Sequence, residues 1–311
     1  MKTSTTPNWR PLLRAVYTFL IGIAALWATP RNAYAQLYVT QSTLPGQEVG
    51  GVSEYDANTG VLMNASFITG LNDPVFLALL DNVLFVANFN DNTVGQYDAT
   101  SGRPMRPNFI PGLTAPEGLA VAGPSAFSPS PLLYVAVVNS GIEGISGAIN
   151  KYNANTGAVI SPRFIFIDGE PTGLAVMGPS SFFPSGFLFV ANFSSGTVGK
   201  YDATTGAPIN TSFITGLKGP TGLVLQGRSL LVANFFGNTV SKYDAITGAR
   251  IKARFITGLH FPAGLALNGN NLYVTNDNDP GTVGEYNAIT GARIKAKFIT
   301  GLSFPVGVAV K

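Results

Sequence analysis

Leu230–Gly258 reads LLVANFFGNTVSKYDAITGARIKARFITG, and its pattern recurs with edits six times between residue 37 and the C-terminus. The constant marker is a tyrosine followed by Asp or Asn: Tyr55-Asp56, Tyr97-Asp98, Tyr152-Asn153, Tyr201-Asp202, Tyr243-Asp244 and Tyr286-Asn287. Successive markers lie 42 to 55 residues apart. Self-similarity at such a period marks a repeat architecture, and it governs every later reading.

Each unit has four short apolar segments. A run such as Leu84-Phe85-Val86 or Leu272-Tyr273-Val274 precedes the marker. An Ala-x-Thr-Gly turn follows it, as at Ala245–Gly248. Then come Phe-Ile, usually with Thr-Gly-Leu, and a Pro-x-Gly-Leu-Ala run as at Pro116–Ala120. Short Val, Leu, Ile, Phe and Tyr segments punctuated by Gly, Pro, Asn and Asp predict strands joined by tight turns. No segment keeps a 3.6-residue apolar period, so helices should be scarce. Four strands per 40–45 residues is the requirement of a β-propeller blade. The first unit lacks its Pro-x-Gly segment, and the chain ends with that segment alone, Pro305–Val310. A ring closed by the C-terminal strand joining the N-terminal blade uses both overhangs and leaves fewer unpaired edges.

Pro-x-Gly-Leu-Ala, Leu-Phe-Val-Ala-Asn and Thr-Val-x-x-Tyr-Asp together resemble the NHL-type repeat of six-bladed propellers. The resemblance covers residues 37–310, with Phe76 in place of the expected glycine. It implies an all-β, six-bladed propeller with four-stranded blades, as one domain over residues 36–311. It names no function, because this fold hosts scaffolds, hydrolases and lyases alike.

Residues 1–35 hold Lys2, Arg10, Arg14 and Arg31 and no acid, and Ala15–Ala28 is apolar. Fourteen residues are too few for a comfortable span. Ala33-Tyr34-Ala35 offers a small-x-small cleavage site, so a signal peptide over 1–35 and a secreted or periplasmic product are expected. An uncleaved anchor is the alternative. The chain has no cysteine, which excludes disulfides and lipid attachment through sulfur. Removing the leader turns 19 bases against 16 acids into 15 against 16. Nucleic-acid binding thereby loses its electrostatic support.

The remaining bases cluster in Arg250-Ile251-Lys252-Ala253-Arg254 and Arg293-Ile294-Lys295-Ala296-Lys297. Their alternation puts them on one face of a strand, the outermost of blades 5 and 6. Charge there discourages edge-to-edge pairing, or forms a patch for an anionic polymer or membrane surface. Blades 3 and 4 carry similar insertions, Gly123–Pro131 and Gly178–Gly186. Their Phe127, Phe182 and Phe183 either cover the base of the ring or form a partner patch. On the opposite face, the connections Gln41–Gly51 and Val138–Gly147 are long.

Chemistry in a propeller belongs where the central channel opens. The x positions of Pro-x-Gly should converge there: Val75, Glu117, Thr172, Thr221, Ala263 and Val306. So should the ends of the second strands, Gln41, Asn88, Val137, Asn192, Asn234 and Asn276. Glu117, Glu170, Asn88, Asn192, Asn234 and Asn276 are therefore the candidate ligand-binding residues. Asn also tolerates turns and bonds nearby backbone, which is a purely structural use. The gluconolactonase-type propellers gather carboxylate and Asn metal ligands at this mouth. Here Glu117 is the only acid among the x positions, with Glu170 and Asp73 just before their prolines. One carboxylate among aliphatic and hydroxyl neighbours is a poor divalent-cation site. Asn276–Asp279 lacks the length and closing Glu of an EF-hand loop, though it offers oxygens to a local ion. His260 is the only histidine, so no multi-histidine centre can form. No nucleophile elbow or phosphate loop appears.

The expectation is a non-enzymatic, monomeric scaffold without a cofactor, binding a protein, peptide or glycan on its loop face. The alternatives are a metal-assisted hydrolase or lyase, and a structural component of an envelope or matrix.

Overall fold

The structure, a computed structural model, describes residues 35–43, 49–125, 128–142, 145–180 and 183–311, with backbone alone at 139–142 and 145. The proposed leader up to Tyr34, with Trp9 and Trp27, lies outside the described residues, as do Phe127 and Phe182.

Residues from Ala35 onward form six four-stranded antiparallel sheets, and no helix occurs among the described residues. This is a six-bladed β-propeller. Blade 5 shows the plan, running outward from the axis as Pro220–Gln226, Ser229–Asn234, Thr239–Asp244 and Arg250–Thr257. Blade 1 closes the ring as expected. Its inner strand, Val308–Val310, pairs with Gln36–Gln41 in the register Leu37↔Val310 and Val39↔Val308. Gln36 and Lys311 exchange two backbone hydrogen bonds at 3.1 and 2.9 Å.

The second strands explain the continuous apolar runs. Leu230, Leu231, Val232 and Ala233 are all fully buried, although successive side chains point to opposite faces. Each blade packs on a neighbour on both sides, so both faces are largely apolar, and the polar residues among them, such as Thr40 and Thr275, are hydrogen-bonded. Each fully buried Leu or Val side chain contributes roughly 1.5–3 kcal/mol.

The Tyr-Asp-Ala-x-Thr-Gly stretch does two jobs. Within its blade, Asp244 Oδ1 accepts from Ile246 N–H (2.9 Å), Thr247 N–H (2.8 Å) and Thr247 O–H (3.0 Å), which folds the turn. Between blades, the turn glycine fits under the Phe carbonyl of the preceding blade. A Cβ at Gly248, where φ is +74°, would lie 2.6 Å from Phe213 O. The same juxtaposition joins Gly60 to Phe298, Gly102 to Phe67, Gly157 to Phe109, Gly206 to Phe164 and Gly291 to Phe255. The Phe-Ile and Thr-Gly signatures are thus two halves of one contact, repeated around the ring.

Buried polar side chains staple the same turns. Lys200 Nζ donates to Ala245 O (3.2 Å) and Ile246 O (2.9 Å), and Lys151 Nζ to Ala203 O and Thr204 O. Lys242 reaches Ala288 O more weakly at 3.4 Å. Tyr38, Tyr134 and Tyr273 send their hydroxyls to Ala99 O, Ala203 O and Ala57 O. Arg106 serves the remaining junction through Asn155 O and Thr156 O. Every blade junction therefore has a side chain donating to the next blade's turn.

On the outer strands, Ile251 and Ile294, which alternate with the bases, are 55% and 48% exposed. The outer strand has no blade beyond it, and its first half bows away from its neighbour, so both its faces meet water. The long Val138–Gly147 connection is largely strand. The second strand of blade 3 continues to Ile142, the third begins at Ile145, and the two pair as a hairpin. Phe183, the described member of the insertion aromatics, packs on Phe187 at 4.7 Å and covers the core of blades 4 and 5.

Candidate functional site at the channel mouth

The mouth is built by two chain segments per blade: the residue before each Pro-x-Gly strand, and the residue after each second strand. They are tied together by backbone bonds. Phe89 N–H donates to Asp73 O (3.0 Å), Phe193 to Glu170 (2.9 Å), Phe235 to Gly219 (2.9 Å) and Asp277 to Phe261 (3.0 Å). The residue before the proline is often forced to positive φ: 53° at Asp73, 42° at Ala115, 61° at Gly219, 48° at Phe261 and 41° at Phe304. Positive φ is uncommon for any side chain and an outlier for a bulky one. Strain of this kind costs about 1–3 kcal/mol per residue and gathers at ligand clamps.

Those two sets place aromatic rings around part of the mouth. Phe193, Phe235, Phe236 and Phe261 form a chain of ring contacts, with Phe193–Phe236 at 5.3 Å, Phe235–Phe236 at 5.2 Å and Phe235–Phe261 at 5.0 Å. Phe236 is 60% exposed, and Phe261 and Phe304 are also exposed. Exposed aromatic groupings of this kind mark interaction sites.

Acids interleave with these rings. Glu117 is partly accessible but enclosed by the inner strands. Its carboxyl is pushed up to about 8, first by loss of water and then by the charges of Glu170 and Asp73. Asp277 is pushed up to about 6 by burial and by Asp73. Burial also raises Asp73. Asp73, Glu117, Glu170 and Asp277 thus share one electrostatic environment. None has a basic partner, because the ion pair present among the described residues is Arg228–Asp244. Asp277 Oδ1 and Asn278 Oδ1 are buried without a hydrogen-bond donor. Among the described residues, no group of three or more His, Asp or Glu is arranged to hold a metal ion.

The structure brings the predicted Glu117 and Glu170 together. The asparagine amide groups donate within or beside their own blades, while Asn88 Oδ1 and Asn234 Oδ1 are buried without a hydrogen-bond donor. Asn88 donates to Thr93 Oγ1, Asn234 to Ser241 Oγ and Asn276 to Thr282 Oγ1, while Asn192 donates to Asp168 O. Thr172 and Thr221 donate to Pro220 O and Pro262 O, joining inner strands of adjacent blades. His260 is exposed on the rim, its N–H held by Asn276 Oδ1 at 3.0 Å. Sequence reasoning missed the aromatic chain and the part Asp277 plays. A signal was present: Ala-Asn-Phe recurs at 87–89, 191–193 and 233–235, and Asp277 occupies the Phe position of blade 6.

No family model matches the chain, and no curated protein matches it. Solved structures do. A chain of the crystallised nidogen/laminin complex aligns with a TM-score of 0.64 at 14% identity, covering 89% of this chain and 98% of that one. A protein of unknown function from Bacteroides caccae aligns with a TM-score of 0.62 at 10% identity, covering 89% and 99%. At such identities the likeness shows the fold alone.

Proposed function

We propose that this protein is an exported, non-enzymatic propeller scaffold of the NHL-like kind, which captures a protein or peptide segment at the channel mouth. One observation carries the reading: exposed phenylalanines border carboxyl groups that have no cation of their own. The apolar rings offer contact area, and aromatic residues dominate the energetics of many interfaces. The acids and the donor-less oxygens of Asp277 and Asn278 favour a donor bearing positive charge. The preferred partner segment therefore carries a Lys or Arg flanked by apolar residues.

Such capture is linked to protons. A cation at the mouth favours the ionised acids and so displaces the proton that Glu117 holds near neutral pH and the one that Asp277 shares near pH 6. Binding should tighten as pH rises from 6 to 9. The test is a displayed library of peptides with a central Lys, Glu or Gln between apolar residues. Lys peptides should be enriched, should bind at least tenfold more weakly to Phe236→Ala, and should strengthen with pH. Equal recovery of Glu peptides, or binding indifferent to Phe236, would refute the proposal.

A further inference from the structure

Blades 4 and 5 contain the same cleft, furnished with opposite chemistry. In each, the fourth strand bows away from the third. Blade 5 pairs Val240↔Ile256, then jumps to Lys242↔Lys252 and Tyr243↔Arg250. Blade 4 pairs Val198↔Ile214, then Lys200↔Asn210 and Tyr201↔Pro208. The skipped residues leave clefts of about 350 Å³ in blade 5 and 370 Å³ in blade 4. The fold makes the space, and the sequence decides its charge. The blade 4 cleft is lined by Asp168, Thr211 and Ser212 and has no base. The blade 5 cleft is lined by Lys218, Arg250 and Arg254 and has no acid.

Those three cations are exposed, and none has a hydrogen-bond or ion-pair partner among the described residues. Keeping an edge strand from pairing requires charge on that strand. It does not require Lys218, which comes from the loop between blades 4 and 5. Three like charges facing one cleft repel each other, and an anion relieves the repulsion. Thr215 and Thr239 add hydroxyls to the walls.

We propose that the blade 5 cleft binds an acidic sugar unit of an anionic polysaccharide. Arginine's planar fork matches a carboxylate or sulfate, which a point charge does not. The threonine hydroxyls suit the neighbouring sugar hydroxyls. The volume lies at the small end of ligand sites, enough for one or two rings. Tyr243, the aromatic residue of the lining, is only 6% exposed, so the cleft offers no platform for stacking nucleic-acid bases. Arg293, Lys295 and Lys297 on the outer strand of blade 6 extend the positive surface for the rest of a polymer.

The probe is hexagalacturonate, titrated into the protein by calorimetry at two salt concentrations. Binding should be measurable at low salt and should weaken as salt rises. It should fall at least tenfold in Arg250→Gln/Arg254→Gln and stay unchanged in Thr211→Ala/Ser212→Ala, the matching change in blade 4. All the substituted residues are exposed, and equal melting temperatures will show that the variants fold. The proposal is overturned if the wild type does not bind, if the arginine variant binds undiminished, or if an uncharged glucose hexamer binds equally well. It is also overturned if anionic lipid vesicles or single-stranded DNA bind more tightly through the same arginines.

Discussion

Replacing Glu117 with Gln should stabilise the protein at high pH and leave it unchanged at low pH. In the unfolded chain this carboxyl titrates near 4.5, and in the folded ring near 8. Between those values the folded state holds the proton more tightly, so its stability falls as pH rises. Gln is nearly isosteric and never ionises, so it removes that loss. The gap corresponds to at most about 5 kcal/mol, at 1.36 kcal/mol per pH unit. Water reaches part of the side chain and screens the charges of Glu170 and Asp73, so we expect about 2 kcal/mol. For a domain of this size that is a rise in Tm of about 4–8 °C. Scanning calorimetry of wild type and Glu117→Gln at pH 4 and pH 9 measures it. The difference should be near zero at pH 4, below the unfolded-state value of 4.5, and appear in full at pH 9. An equal difference at both pH values, or a loss of stability at pH 9, would show that Glu117 is ionised and paired with a cation, contrary to the geometry described.

Four further outcomes are expected. Deleting Pro305–Lys311 removes the inner strand of blade 1, so the protein should become insoluble or melt much lower; unchanged melting would disprove this closure. Lys200→Met keeps the packing on Phe187 and Phe213 but leaves Ala245 O and Ile246 O without their donor. It should cost about 2–4 kcal/mol in urea unfolding, by the penalty for unpaired buried carbonyls. Gly248→Ala should destabilise by about 3 kcal/mol, and Gly258→Ala by only about 1 kcal/mol. Both have positive φ, but a Cβ at Gly258 meets nothing within 4 Å, so equal losses would remove the blade-docking role of Gly248. If the exported protein is cut after Ala35, it loses both tryptophans, Trp9 and Trp27; indole emission from the exported form would exclude that cut.

The ring was legible because its signals are local. Tyr-Asp, Thr-Gly and Pro-x-Gly each fix a turn or strand within a few residues, and the split first unit announced the closure. What one blade does to the next was not legible. Lys151, Lys200 and Tyr134 read as ordinary strand residues until the neighbouring turn is placed against them. The basic run Arg250–Arg254 was visible, but the shift in register that hollows a cleft beneath it was not. At the mouth, Glu117 and Glu170 could be chosen by their position beside proline. Asp277 could not, because its environment is made first by burial in the assembled ring and then by Asp73, two blades away. The Asn pattern was the most regular feature of the sequence. Hydrogen bonds to Thr93, Ser241 and Thr282 use the amide donors within each blade, but leave Asn88 Oδ1 and Asn234 Oδ1 buried without a donor.

The strand that completes blade 1 also governs how the molecule can be made. Five blades are continuous stretches of chain and can form as soon as they are synthesised. Blade 1 must join Thr40 to Gly307, 267 residues apart. The entropy of closing so long a loop exceeds that of a 40-residue loop by only about 2 kcal/mol. The closure is thus cheap at equilibrium but late in time, since contacts distant in sequence form slowly. Until it happens, two bare strand edges stand open, and this is the interval in which the chain is exposed to aggregation. Once it has happened, Gln36 and Lys311, where the ring begins and ends, lie side by side. They could be joined and the chain reopened between any other two blades, giving the same ring in a different order of synthesis.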